Sequence, residues 1–205
     1  MTLVLYGHPE SGHSLKVAVA LELANIPYQA VRVDIWADPS TRPAEFLAGS
    51  PFAEVPLLLI DEHPYVQSGA ILLEIATRYK VLGGETPEGL RRGRELLMWE
   101  ANRIGMCLPQ LRYAALTHNE GYPDGALEWL RNRYATDSAN FDRLLADEPF
   151  FHGASPGIGD CAIWGYVQFF DDASVEPTPA MQAWINRMTA LDAIKAPDVF
   201  FPNDG

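Results

Sequence analysis

Cysteine is scarce. Cys107 and Cys161 are the only two in 205 residues; they form neither a CxxC pair nor zinc-ligand spacing, and a disulfide framework is not expected. The five histidines are scattered, so no metal site is expected. Basic side chains are outnumbered, 15 Lys and Arg against 27 Asp and Glu. A net charge of −12 with no basic patch sets nucleic acid aside as a partner, because there is nothing to release counterions. It does not set aside a small acidic ligand, which responds to local groups only. Every apolar stretch is interrupted by charge or proline before it reaches the length of a membrane helix. The first strand-like run, TLVLY, has no basic segment or cleavage site before it. The expectation is therefore a cytoplasmic protein with no signal peptide and no membrane partner. Repeats and low-complexity tracts are also missing.

What is present divides in two. Thr2–Tyr6 reads as a strand and ends in the breaker-rich loop GHPESG. A helix follows from about Ser14, with Val17, Ala20, Leu21 and Ala24 on one face, and Asn25-Ile26-Pro27 stops it. Tyr28 to Ile35 alternates as a second strand, and strand–helix–strand makes the two strands parallel. A short helix around Pro43 to Ala48 comes next. With the stretch considered below, the order is βαβαββα over residues 1–80, that of a thioredoxin-like domain. VLGGETP, 81–87, clusters Gly and Pro as a linker. Beyond it, over 88–205, strand signals vanish. Helical patterns run over Glu88–His118 (one long helix, bent near Gly105 or Pro109), Gly125–Asp147, Ile158–Phe170 and Pro179–Ile194, followed by an irregular tail. The fold class expected is an α/β domain followed by an all-α bundle.

Residues 50–79, SPFAEVPLLLIDEHPYVQSGAILLEIATRY, organise the first half. Val55–Ile60 is an almost unbroken apolar run, expected to be buried on both faces. Asp61-Glu62 turns the chain into a short second strand, Pro64–Val66. A helix opens at Gln67-Ser68 with Ile71, Leu72, Ile75, Ala76 and Tyr79 on one side. Ser68 stands where an N-cap belongs, and Gly69 and Ala70 leave the first turn open. Free backbone N–H groups at such a start form a ready anion site. Pro56 opens the buried strand. A trans strand-starting proline satisfies that position; a cis Val55-Pro56 bond would instead turn the Val55 backbone edge sideways. The combination of apolar-Pro-strand, hairpin and Gln-Ser helix start favours cis.

That combination resembles the N-terminal domain of the cytosolic glutathione S-transferases. The resemblance implies that a Val-Pro bend, here Val55 and Pro56, presents a backbone edge to the cysteinyl unit of glutathione. It also implies that Gln67 and Ser68 grip the γ-glutamyl carboxylate. Glutathione would be a co-substrate, with a small electrophile as second substrate and a homodimer as the assembly. The glycine-carboxylate end departs from the family: Glu54 stands where Lys, Gln or His often precedes Val-Pro, and Ala53 replaces the usual Gly. Glu54 either repels that carboxylate, with Arg42 or Lys16 to compensate, or points to solvent. In the bundle, the family's Ser/Thr-x-x-Asp helix start is here Gly157-Ile-Gly-Asp160, read as structural.

Only the thiolate of a thiol is a good nucleophile, and a free thiol near ~8.5 is mostly protonated. A hydroxyl donor and a helix N-terminus both stabilise it. The loop His8-Pro-Glu-Ser11-Gly-His-Ser14-Leu-Lys-Val17 supplies both and resembles the family's Ser-Pro-x-Ser-Arg-Lys-Val loop. The resemblance carries the sulfur-contacting role to Ser11, with Ser14 second and expected to cap the helix. His13 is a further candidate, otherwise a partly exposed loop residue. Tyr6 lies in the strand, which sets the tyrosine-type variant aside. A hydrolase elbow would need glycine where Pro9 stands. For the second substrate, the first helix after the linker offers Asn102, Arg103, Met106 and Tyr113 as pocket residues, with Trp99 read as core. Two functions follow: a serine-type glutathione transferase, or a non-catalytic member binding apolar ligands or a protein through the same cleft.

Overall fold

The structure, a computed structural model, describes residues 2–203. Its first half runs β1 Leu3–Gly7, α1 Gly12–Leu23, β2 Gln29–Arg32, a 3-10 turn Pro39–Thr41, α2 Ala44–Gly49, β3 Leu57–Ile60, β4 His63–Val66 and α3 Ser68–Tyr79. The sheet order is β2-β1-β3-β4. As expected, β1 and β2 are parallel, with Leu5 opposite Ala30. β3 is antiparallel to both its neighbours, placing Leu5 opposite Leu58 and Leu58 opposite Tyr65. Alternation along the strands decides what each face touches. Leu3, Leu5, Leu58 and Ile60 join the core with α1 and α3, while Tyr6, Leu57 and Leu59 meet Phe46 of α2 on the other side. The apolar run of β3 is buried at every position, as a central strand covered on both faces must be. Pro64 sits in β4 at the sheet edge, where its missing donor leaves no ladder bond broken.

The second half is helical: α4 Pro87–Asn102, α5 Ile104–Leu116, α6 Ala126–Leu145, α7 Ile158–Val167, α8 Pro179–Thr189 and α9 Pro197–Phe200. The single long helix expected over Glu88–His118 is two. The break falls at Arg103, whose φ of −126° and ψ of −106° are non-helical, and Pro109 lies inside α5 without ending it. The packing there is tight: a Cβ added at Gly105 would lie 1.8 Å from Glu100 Oε1, so the carboxylate occupies the space beside the first turn of α5. The tail expected to be irregular contains α9 and tucks inward. Phe201 is fully buried, its ring 2.3 Å from where a Cβ on Gly7 would stand.

α7 is buried nearly all round and passes against α1 at bare backbone: added Cβ atoms on Gly12 and Gly165 would lie 2.4 and 2.5 Å from each other's carbonyl oxygen. Asp160 stands in the first turn of α7, three residues after Gly157, as expected. Its Oδ2 accepts from Gly157 N at 2.9 Å, and its Oδ1 from Phe151 N at 2.9 Å and Trp184 Nε1 at 3.0 Å. The absence of Ser or Thr at 157 has a steric reason, since a Cβ there would meet the His152 ring at 2.4 Å. Thr178 caps α8, its Oγ1 accepting from Met181 N at 3.1 Å and donating to Asp142 Oδ1 at 2.6 Å. Thr178→Ala should lower unfolding free energy by about 1–2 kcal/mol, read as a denaturant midpoint shift at constant slope; a change within error would mean that the cap is redundant.

Candidate active site

Three backbone features converge beside the N-terminus of α1. β1 ends at Gly7, the chain turns through His8 to Ser11 with Ser11 N donating to His8 O at 3.0 Å, and α1 begins. Ser11, not Ser14, is the N-cap: its Oγ accepts from Ser14 N at 3.2 Å. The expectation that Ser14 caps is thus corrected. Ser14 is fully buried inside the helix, and its Oγ accepts from His8 N at 3.3 Å, so it faces the loop from within. Ser11 is nearly buried but lines a cavity, and one accepted bond leaves its hydroxyl proton free to donate.

The second feature is the bend before β3, where Val55-Pro56 is cis. Ser50 ties it: its Oγ accepts from Glu54 N at 3.2 Å and donates to Glu54 O at 3.0 Å. Arg42 ties it from outside, donating to Ala53 O and, at 3.2 Å, to Ile35 O. Arg42 therefore braces the bend and does not line the groove, a correction to its reading as a ligand-binding residue. Lys16 is corrected likewise: it is buried, with Nζ 2.9 Å from Glu100 Oε1. Neither is positioned to offset Glu54, which is exposed at the groove.

The third feature is the start of α3. Its N-cap is Gln67, held at a positive φ of 68°, and Ser68 is the first helical residue rather than the cap. An added Cβ on Gly69 would meet nothing within 4 Å, so the helix mouth is open. Val55, Pro56, Gln67 and Ser68 line one groove of about 70 Å³ together with His13, Ser50, Phe52, Glu54 and Val66. His13 belongs to the first turn of α1, not to a loop. Its ring packs edge-on to Tyr166 at 5.0 Å, and burial, then the Lys16 charge, push its pKa down to about 3.

Next to the groove, a cavity of about 160 Å³ lies between the halves, lined by Ser11, Trp36, Pro109, Arg112, Tyr113 and Tyr166 among others. Of the second-substrate candidates, Tyr113 lines it. Asn102 and Arg103 are exposed at the helix break and Met106 is half-buried in the bundle; the cavity wall comes from α5 one to three turns later. Trp99 packs on the core, as expected. Arg112 was not foreseen. It donates to Glu10 O at 2.7 Å and Asp172 Oδ2 at 3.0 Å and lies over the Phe169 ring at 3.8 Å, which fixes the loop carrying Ser11. Only its place across the fold reveals this. A larger hollow of about 570 Å³ is lined by residues such as Leu23, Val81, His152 and Pro156, and it combines neither a bent backbone edge nor an open helix start.

Other nucleophiles are silenced. Tyr6 turns to the α2 face, donating to Glu45 Oε2 at 2.8 Å, and burial pushes its pKa up to about 12. Cys107 and Cys161 are buried free thiols, each raised by burial. Among the described residues no three His, Cys, Asp or Glu side chains gather as metal ligands, and no helix is long and apolar enough to cross a membrane.

Comparison with known proteins agrees with this geometry. Residues 10–78 match the family model "Glutathione S-transferase, N-terminal domain", and residues 124–187 match "Glutathione S-transferase, C-terminal domain". A maleylacetoacetate isomerase of Rhizobium meliloti is 29% identical over 201 residues, covering 94% of this chain and 93% of that protein. A glutathione S-transferase of Xanthobacter autotrophicus superposes with a TM-score of 0.78 at 26% identity, covering 95% of this chain and 96% of the other. A glutathione transferase of Burkholderia graminis, solved with two glutathione molecules bound per subunit, shares the fold at a TM-score of 0.84 and 20% identity, covering 100% of this chain and 90% of that one. With a thioredoxin-like domain, a helical bundle and both domain signatures in place, the chain belongs to the glutathione S-transferase family.

Proposed function

We propose that the protein is a serine-type glutathione transferase. One observation carries the reading: the Val55 edge and the open start of α3 line one hollow and Ser11 a second, whose walls meet where the His13 and Tyr166 rings pack at 5.0 Å, and an extended γ-glutamyl tripeptide would run from one to the other. In this reading the γ-glutamyl carboxylate meets the first N–H groups of α3, where the helix dipole favours an anion. The cysteinyl unit lies along Val55, and its sulfur reaches the Ser11 hydroxyl. The thiolate then attacks an electrophilic carbon held in the cavity beside Trp36 and Tyr113. The same addition followed by loss of the thiolate would give isomerisation of an activated double bond; the Rhizobium meliloti relative is named an isomerase. Reduction of a peroxide or disulfide by the same thiolate is a further outcome.

The protein is proposed to work as a homodimer. In this reading the exposed side chains of Phe52 and Met98, about 60% accessible, would be covered by the second subunit. The competing reading, a non-catalytic binder using the same cleft, rests on Glu54.

Calorimetry with glutathione separates the two readings. The transferase reading expects binding that weakens about tenfold in Gln67→Ala, together with a bound thiol whose pKa lies below the free value of ~8.5. A bound thiol that keeps its free pKa favours the non-catalytic reading.

A further inference from the structure

Tyr166 ends in a hydroxyl that its packing does not use. The residue lies in the last turn of α7, the helix that meets α1 at bare backbone. A Cβ added at Gly12 would stand 2.9 Å from Tyr166 Cδ1, so the ring rests directly on the residue that follows Ser11. The edge-on His13 ring and Lys16 Nζ, 5.5 Å from the ring centroid, hold it from the same helix. Two rigid helices thus fix its position, which suits a group that must not reorganise during a reaction.

The start of α1 sets what the phenol oxygen meets. The first N–H groups of a helix have no carbonyl within it to serve. Ser14 N donates to Ser11 Oγ, and the His13 N–H faces the Tyr166 oxygen, which places that oxygen in the mouth of α1 beside Ser11. Among the described residues nothing accepts the hydroxyl proton. The atom is not sealed in either: the buried side-chain atoms without a partner among the described residues are Arg42 Nε and Asp137 Oδ1, and Tyr166 lines the same cavity as Ser11. A phenol open to that cavity with its proton unused is a donor without an acceptor. The charged and titratable groups around it are His13 and Lys16 of α1, Glu100 of α4 and Arg112 of α5. Burial pushes its pKa up to about 12 against the pull of the Arg112 charge, so it keeps its proton at neutral pH.

We propose that the Tyr166 hydroxyl is a second donor to the glutathione sulfur, reaching it from the helical bundle across the mouth of α1 from Ser11, so that each half of the molecule supplies one hydroxyl to the thiolate. The inference rests on the glutathione reading and deepens it. The path of the peptide selects the acceptor. The groove at Val55 and the cavity at Ser11 meet where the His13 and Tyr166 rings pack, so a cysteinyl side chain that starts at Val55 and ends at Ser11 passes over that junction. Tyr166 transfers no proton. The thiol proton leaves to water, and the phenol hydrogen-bonds the thiolate that remains.

Tyr166→Phe removes the donor and keeps the ring. Titration of the bound thiolate by its ultraviolet absorbance should show the thiol pKa of bound glutathione rising by about one unit in this variant. The double variant Ser11→Ala/Tyr166→Phe should bring it to the free value of ~8.5. Calorimetry with S-methylglutathione, which has no thiolate to hold, should give the wild-type affinity in Tyr166→Phe. A thiol pKa that Tyr166→Phe leaves at a lowered wild-type value overturns this donor alone, whatever happens to turnover, and the transferase reading stands. Weakened binding of S-methylglutathione also overturns it, since the hydroxyl would then shape the groove rather than serve the sulfur. A bound thiol already at the free value in wild type takes down the transferase reading and this donor with it.

Discussion

Asp160→Ala is expected to cost about 3–6 kcal/mol of folding stability, a large part of what a domain of this kind has. The carboxylate is fully buried and is the acceptor for Phe151 N, Gly157 N and Trp184 Nε1. Alanine leaves three donors without a partner in a site closed to water, and each orphan costs about 1–3 kcal/mol before any relaxation. The damage reaches the aromatic core, because Trp184 stacks edge-on with Phe141 at 5.4 Å and Phe151 at 5.9 Å. Equilibrium urea unfolding of both proteins reads the difference, and a loss under about 1 kcal/mol would mean that water replaces the carboxylate.

Asp160→Asn adds a pH signature. Burial raises the Asp160 pKa to about 6 against an ordinary 3.8, despite the three donors. The folded state therefore holds a proton between about pH 4 and pH 6 that the unfolded chain releases. The stability this contributes is complete below about pH 4 and is lost as pH rises through about 6. Asparagine does not titrate, so the deficit of the variant should shrink by about 3 kcal/mol from pH 4 to pH 7. A deficit that stays constant across this range contradicts the raised value.

Ser11→Ala is expected to lower kcat/KM for conjugation about a hundredfold while glutathione affinity changes little. A positioned donor to a developing or stabilised anion contributes on the order of 10²–10³ in rate. The Ser11 hydroxyl accepts from Ser14 N at 3.2 Å, and its proton remains free to donate, in the proposed function to the glutathione sulfur. Donation to the thiolate lowers the thiol pKa, so its loss should return the bound thiol toward ~8.5. Because Ser11 also caps α1, the variant should lose about 1 kcal/mol of stability as well. The two effects separate cleanly, since a lost cap does not move a ligand's pKa. Stability lost with turnover and thiol pKa unchanged would leave Ser11 as a cap alone.

The sequence announces its fold through local patterns. The apolar run Leu57–Ile60, the stripe Ile71, Leu72, Ile75 and Ala76, and the breakers before α4 all carry their signal within a few residues of one another. Val55, Pro56, Gln67 and Ser68, singled out through the family resemblance, line one groove because they sit in one short continuous stretch of chain. What stayed hidden depends on distant partners. Nothing near Lys16 foretells Glu100, nothing near Arg112 foretells the carbonyl of Glu10, and Arg42 looks like a free cation until the bend it braces is folded. The cap moved from Ser14 to Ser11 because either serine suits the local pattern, and the loop's path selects between them. One helix bent near Gly105 or Pro109 is what the sequence suggests where the chain breaks at Arg103, because Gly105 signals the break only indirectly, by leaving room for the Glu100 carboxylate of α4.

The bare contact between Gly12 and Gly165 has a mechanical implication. Two main chains in touch cannot slide as rotamers do, since no flexible side chain lies between them to yield. The helix start beneath the groove and the bundle wall behind it then travel together. The opposite rim of the cavity, at the exposed Trp36, carries no such lock, so movement there, rather than a hinge between the halves, is expected to set how large a molecule the cavity admits.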